Sequence, residues 1–388
     1  MPVKNRFAEL LPEITAWRRD FHEHPELLFD VHRTAGKVAG LLRGFGCDEV
    51  VEGIGQTGVV GVIRGKTDSG GRVVGLRADM DALPINEQTG VPYASRTPGK
   101  MHACGHDGHT AMLLGAAKYL CETRNFDGTT VVIFQPAEEG GGGGREMVKD
   151  GMIDRWGIQE VYGMHNMPGI PVGHFAIRPG AMMAAADQFE ITVTGKGGHA
   201  AKPHECIDTT VVAAHIVVAL QTIASRNVDP LKQVVVSVCT VATDSPAHNV
   251  IPQVVVMKGT VRTMDHTVQD FVERRIHEVV TGTATALGAS AAVAYERGYP
   301  VTMNTPENTR YAAQVAKAVS GHVDDDAAPL MGAEDFSFML NERPGAYIFL
   351  GNGDTPMVHH PAYNFDDNAI PFGSSWYAGM VESRMPAA

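Results

Sequence analysis

The segment MHACGHDGH at 101–109 gathers His102, Cys104, His106 and His109 within eight residues. Cys104 and His106 are two apart, so in extended chain their side chains point the same way. A thiolate beside an imidazole suits a borderline-soft divalent cation. A second segment, FQPAEEG at 134–140, ends an apolar run in two adjacent carboxylates, Glu138 and Glu139. Neighbouring residues face different ways. One can therefore ligate a cation while the other takes a proton from water, the division of labour that hydrolysis needs. GMHN at 163–166 and VHHP at 358–361 supply His165, His359 and His360. Taken singly, each of these histidines is better explained as a structural residue. They gain weight because two cations need donors beyond Cys104, His106 and one glutamate. Asp79 and Asp81, at i and i+2 in RADMD, either orient ligands from behind or form hydrogen-bonded turns.

Three further residues offer donors for anionic groups. His199 lies in the glycine-rich GKGGHAAKP at 195–203, Asn249 in AHNVIP at 247–252, and Arg262 closes GTVR at 259–262. Together they suit an oxyanion and a carboxylate, although each has an ordinary turn or strand-end explanation. One motif is a decoy. GIGQTG at 53–58 reads as GxGxxG, but the dinucleotide fingerprint needs a helix opening on those glycines and an acid about 20 residues on. Val59, Val60, Val62 and Ile63 follow instead and read as strand. The glycine run at 140–144 lacks the Lys-Ser/Thr ending of a phosphate loop.

These residues need a scaffold that brings distant segments together. From residue 3 to 44 the spacing of Phe7, Leu10, Leu11, Ile14 and Trp17, then of Val38, Leu41 and Leu42, predicts two helices, the first broken by His24-Pro25. Apolar runs at 59–63, 73–76 and 131–134 predict buried strands, with a helix at 107–123 between the last two. Asp107 suits the N-cap or first turn of that helix. From 187 to 295 the rhythm changes to strand 188–194, helix 206–225, strands 233–241 and 253–262, helix 268–287 and strand 291–295. A helix at 307–320 and a strand at 346–350 complete the reading. The expected fold is α/β, with a mixed, partly parallel sheet flanked by helices in residues 1–183 and 298–388. An inserted β-α-β-β-α-β domain occupies 184–297.

Composition narrows the function classes. The chain has 388 residues, is 44% hydrophobic and carries a formal charge of −12, which opposes general nucleic-acid binding. No apolar run reaches the ~18 residues of a membrane span. No signal peptide is visible. The five cysteines form no CxxC pair, which argues for a reducing compartment, and a cytoplasmic location is expected.

Jointly, RADMDALP at 77–84, the 101–109 segment, QPAEEG at 135–140, GMH at 163–165, GGHAAKP at 197–203, NVIP at 249–252, GAEDFS at 332–337 and HHP at 359–361 are recognisable. The chain resembles the metal-dependent aminoacylase and carboxypeptidase amidohydrolases over almost its whole length. Within them it is similar to the branch of hippurate hydrolases, N-acyl-amino-acid deacylases and auxin-conjugate hydrolases. The resemblance implies two divalent cations per subunit, zinc or manganese first, with cobalt and nickel allowed. It implies the ligands Cys104, His106, Glu139, His165 and His359, with Glu138 as general base. It implies that the insert is a lid and dimerisation domain. His199 would stabilise the oxyanion, often across a dimer, and Asn249 and Arg262 would hold the substrate carboxylate. The more distant peptidases carry a metal-binding His where this chain has Asp79, and a bridging Asp near Cys104 and His106. The function expected is amide hydrolysis of N-acyl amino acids. A dipeptidase or carboxypeptidase on the same scaffold and a non-catalytic metal-binding protein are the alternatives.

Overall fold

The computed structural model describes residues 5–387, so the first two residues of the helical stretch expected from residue 3 lie outside the described residues. In chain order the first unit contains α1 (Asn5–Glu23), α2 (His32–Phe45), β1 (Glu49–Ile54), β2 (Gly58–Arg64), β3 (Val73–Asp79), α3 (His106–Thr123), β4 (Thr129–Gln135) and β5 (Glu160–Met167). The insert follows with β6 (Ala185–Thr194), α4 (Thr209–Thr222), β7 (Val234–Thr243), β8 (Val254–Thr263), α5 (His266–Ala286) and β9 (Ser290–Tyr299). The first unit then closes with α6 (Pro306–Ser320), β10 (Gly345–Gly351) and α7 (Ile370–Arg384).

The large sheet has eight strands in the order β1-β2-β4-β3-β5-β10, followed by the short strands Phe175–Ala176 and Val323–Asp324. β3 runs parallel to both β4 and β5, and β10 runs parallel to β5. β1 and β2 add an antiparallel hairpin at one edge. The GxGxxG glycines belong to that hairpin, and Gly58 opens β2 rather than a helix. Four parallel strands thus end on one side of the sheet: β3 at Asp79, β4 at Gln135 just before Glu138, β5 around His165, and β10 before His359. That carboxyl edge is where open α/β sheets place their sites. It explains why ligand candidates 255 residues apart can meet (359 − 104 = 255).

Helices α1, α2, α3, α6 and α7 share one hydrophobic core with the strands. α3 is buried on nearly every side, with Ala111, Met112, Leu113, Leu114, Ala116 and Ala117 all at 0% exposure. It packs against α1, α2, α7 and β3. α3 starts at His106, and its N-cap is Gly105 with φ of 89° and no side-chain cap. Of the two places expected for Asp107, it takes the first turn and not the cap. It is drawn inward to Arg18 and His22. The expected reading also lacked α7. Its Ile370, Gly373, Ser374, Ser375, Trp376, Tyr377, Ala378, Met380 and Val381 are all buried, so no polar face marks it in the sequence.

The second compact unit comprises Met183–Thr302 together with Pro329–Glu334. Residues 329–334 are tied to this unit by Ala184 N–H, which donates to the carbonyls of Leu330 and Gly332. Its sheet is antiparallel, ordered β7-β8-β6-β9, with α4 and α5 packed on it. Buried Asp187 on β6 accepts from Gln269 of α5 at 2.9 Å and from Tyr295 of β9 at 2.7 Å, tying helix to sheet. With its terminal π-turn, the stretch Thr209–Asn227 is long and apolar enough to cross a membrane by length and composition. This differs from the expectation of no such run, because in the sequence His215 and Gln221 interrupt the apolar residues. Val212, Ala213, Ile216, Leu220 and Ile223 of this stretch are buried in the core of the second unit.

Candidate metal centre

Cys104 and His106 flank Gly105 at the mouth of α3. A Cβ on Gly105 would lie 2.3 Å from the Asn166 amide nitrogen and 2.4 Å from the Tyr363 hydroxyl, and φ of 89° is left-handed, so this position requires glycine. Glu138 and Glu139 follow Ala137, which holds φ of 52°, and His359 itself has φ of 69°. Left-handed backbone at non-glycine residues costs of order 1–3 kcal/mol and gathers at functional sites. Surrounding hydrogen bonds hold both. Ala137 N–H donates to Leu28 C=O at 3.1 Å, and His359 N–H donates to Ala103 C=O at 2.7 Å.

The structure brings together the five donors named from the sequence. Cys104, His106 and His165 offer ligand atoms within 4.8 Å of one another, as do Cys104, Glu139 and His359, and as do His106, Glu138 and Glu139. Cys104 Sγ lies 3.3 Å from His165 Nε2, and Glu139 Oε1 lies 3.3 Å from His359 Nε2 and 3.9 Å from His106 Nε2. His106 and His165 are buried, Glu139 is nearly so, and His359 is about half exposed, leaving the cluster open on that side.

Their neighbours aim them. His106 Nδ1–H donates to Asp81 C=O at 2.8 Å and His165 Nδ1–H donates to Asn166 C=O at 2.6 Å, so each ring presents Nε2 to the cluster. The carboxylate of Asp81 accepts from the backbone N–H of Glu138 at 2.9 Å and of Glu139 at 3.1 Å, and so holds both glutamates in place. Both oxygens of Asp79 are taken. Oδ1 accepts from His109 at 2.6 Å and Oδ2 from Arg77 at 2.6 Å. Asp335 anchors the other end of this network, accepting from Arg77 at 3.0 Å, Gln135 at 2.6 Å and Gly144 N–H at 2.8 Å. Of the four donors at 102–109, His109 is thus consumed by Asp79, and His102 is buried beside His22. Asn166, Asp335 and Tyr363 have no assigned role from sequence, whereas Asp81 is one of the RADMD pair read either as orienting ligands or as forming turns.

The donor set fits divalent cations. His106 Nε2 and Glu139 Oε1 are both buried and make no hydrogen bond, an arrangement that costs free energy unless something else meets them. Burial pushes the Cys104 thiol well above its ordinary range, and Glu139, Glu138 and Asp79 push it further. Burial also disfavours the charged form of His106, but Asp79, Asp81 and Glu139 outweigh it and raise its pKa to about 10. Burial holds His165 well below the usual imidazole range, so it is neutral and able to ligate. This is a negative, thiol-containing concavity in which a cation would turn the thiol into a thiolate.

His199, Asn249 and Arg262 belong to the second unit. His199 is exposed on the two-residue strand Gly198–His199, which pairs with Val250–Ile251 immediately after Asn249. Ala201 N–H donates to His199 Nδ1 at 3.1 Å, which leaves the ring proton on Nε2, facing outward as a donor. Arg262 lies on β8, half-buried and bonded to Thr260 Oγ1 and to Val261 C=O. Burial lowers its pKa, with Asp187 opposing.

A separate buried cluster braces α3. His22 faces Asp107 at 2.8 Å through Nδ1 and Glu87 at 3.2 Å through Nε2, with Arg18 at 3.3 Å from Asp107. Two carboxylates leave both ring nitrogens as donors, so the ring is an imidazolium. Burial lowers its pKa, but Asp107 and Glu87 together raise it to about 9 from 6.5. The folded pKa is the higher one. Its contribution is therefore fully present below pH 6.5 and lost as pH rises through 9. A shift of this size corresponds to roughly 3 kcal/mol. Urea unfolding between pH 6 and 10 should show an alkaline loss of that order in the wild type and not in His22→Gln. Parallel pH profiles would remove the assignment.

The sequence profile described as Peptidase family M20/M25/M40 matches residues 75–383. The hippurate hydrolase of Campylobacter jejuni subsp. jejuni serotype O:2 is 42% identical over 376 residues, covering 96% of this chain and 97% of its own. Thermostable carboxypeptidase 2 of Saccharolobus solfataricus is 41% identical over 386 residues, covering 97% and 96%. The crystal structure of a Bacillus subtilis protein described as a dinuclear metal binding peptidase from the M20 family superposes with a TM-score of 0.86 at 34% identity. That match covers 98% of this chain and all of that one, 100%. Fold, donor cluster and full-length similarity agree: the chain belongs to the M20/M25/M40 peptidase family and is a metal-dependent hydrolase.

Proposed function

We propose that the protein hydrolyses the amide bond of N-acyl amino acids, releasing a carboxylate and a free amino acid. The observation that carries this reading is the convergence of Cys104, His106, Glu139, His165 and His359 with Glu138, a carboxylate held beside them by Asp81. The five donors would hold two divalent cations. When bound, these supply Lewis acidity, lowering the pKa of water to roughly 7 and polarising the amide carbonyl. Cys104 favours zinc by softness, while the oxygen and imidazole donors also accept manganese, cobalt or nickel. Glu138 takes the proton of the attacking water and passes it to the departing nitrogen. His199 donates from Nε2 to the developing oxyanion. Arg262 and Asn249 hold the α-carboxylate. Full-length similarity to a hippurate hydrolase supports the acyl-amino-acid substrate, and the carboxypeptidase relative keeps peptides as the second reading.

A panel of hippurate, N-acetyl amino acids and dipeptides, run on protein of measured metal content, tests the assignment. Acyl conjugates should be cleaved with the higher kcat/KM, and preference for dipeptides would replace this reading with the second one. His199→Ala should lower kcat by about 10²–10³, as loss of an oxyanion donor does. A change in KM alone would make His199 a binding residue.

The protein is further inferred to form a homodimer through the second unit. Its edge strand β7 is exposed over residues 239–243, and Val211 and Val218 of α4 stand 49% and 69% exposed. An unpaired edge and apolar side chains are features that a second copy could cover. All five cysteines are free thiols, which supports a reducing, cytoplasmic setting.

A further inference from the structure

Asn166, the residue after His165, is fully buried and uses every polar group it has. Its amide nitrogen donates to the carbonyl of Cys104 at 2.6 Å and to His109 Nε2 at 3.0 Å. Its amide oxygen accepts from the Tyr363 hydroxyl at 2.7 Å. Its backbone N–H donates to His109 Nε2 at 2.9 Å, and its carbonyl accepts from His165 Nδ1 at 2.6 Å. A carbonyl on one side and a hydroxyl donor on the other settle which way the amide points. His109 completes the frame. Because its Nε2 accepts, its proton is on Nδ1, where it is donated to Asp79, whose other oxygen is held by Arg77. His109 is therefore held at both ring nitrogens.

The consequence falls on two donors from different elements. Cys104 lies before α3 and His165 on β5, 61 residues apart in sequence, yet Sγ and Nε2 stand 3.3 Å apart. Two ligands on one tetrahedral zinc, at about 2.3 Å for sulfur and 2.0–2.1 Å for nitrogen, are themselves about 3.5 Å apart. The thiol and imidazole are thus already at the spacing of a shared cation. Asn166 is the residue bonded to both sides: to the Cys104 main chain through its amide and to the His165 ring through its carbonyl. Tyr363 extends the same hold to the loop that carries His359.

We propose that Asn166 is a positioning residue that preorganises the thiol–imidazole half of the centre, and thereby sets how tightly it takes a soft divalent cation and how the thiolate bonds to it. This rests on the metal-centre reading above. The test is Co²⁺ titration of metal-free wild type, Asn166→Ala and Tyr363→Phe, followed by the near-ultraviolet thiolate-to-cobalt charge-transfer band and by calorimetry. Asn166→Ala should bind one Co²⁺ 10–100-fold more weakly, as loss of an outer-shell partner does. It should also show a weakened charge-transfer band at saturation, which general destabilisation would not produce. Tyr363→Phe keeps the buried shape and removes one hydrogen bond, so it should show the same change at several-fold size even if the alanine variant does not fold. Unchanged affinity and band in Tyr363→Phe and in any folded Asn166→Ala protein would overturn the proposal while leaving the metal centre intact. Absence of a thiolate band in the wild type would overturn the metal-centre reading beneath it.

Discussion

Glu138→Gln should lower kcat by roughly 10²–10⁴, the usual contribution of a positioned general base. Metal content should stay at the wild-type level. Glutamine keeps the size and shape of the side chain but cannot carry a proton from water to the leaving nitrogen. Its placement should survive, because the 138 backbone N–H is held by Asp81 and not by the side chain under test. The five proposed cation donors are untouched. KM should move little, since the lost interaction belongs to the transition state. Steady-state kinetics with elemental analysis of the same preparation checks this. A variant turning over at near wild-type rate would remove Glu138 from the base role and leave the hydrolysis reading without its proton carrier.

Removing the divalent cations should abolish hydrolysis and lower the melting temperature, and adding them back should restore both. The structural reason is the charge in the cluster. Asp79, Asp81 and Glu138 are buried, Glu139 is nearly so, and a buried ring nitrogen and carboxylate oxygen there make no hydrogen bond. Arg77 pairs with Asp79 and His109 donates to it, while His106 and His359 are the imidazoles that stand beside Glu139. Cations that bind only the folded state stabilise it by about 4 kcal/mol at a thousand times their dissociation constant. Calorimetric melting of stripped and reloaded protein reads this without reference to turnover. Full activity in protein shown to be metal-free would discard the mechanism. An unchanged melting temperature would show that these donors are not where the cations act.

Residue chemistry and short-range periodicity already identified much of this protein. Cys104 and His106 stand out by type and spacing, and the Glu138–Glu139 pair by its place after an apolar run, whereas the choice of Glu139, His165 and His359 as donors rests on the family resemblance. The alternation of strand and helix led to a partly parallel sheet, and the change of rhythm near residue 187 marked the insert. These features are legible because each depends on neighbours within a few residues. Other features were not. His106 and His109 are both histidines in the first turn of α3, and nothing local says that one faces the cluster while the other is spent on Asp79. Asp107 suits a helix cap or first turn by propensity and does sit in the first turn, but nothing local says that Arg18 and His22, 89 and 85 residues away, draw it into the core. α7 escaped notice because a helix buried all round has no polar stripe to show its period. Asn166 gave no signal because its partners lie up to 197 residues away. A hydrogen bond in a buried site depends on which segments the sheet order brings side by side, and that order is a property of the packed chain rather than of any stretch of it.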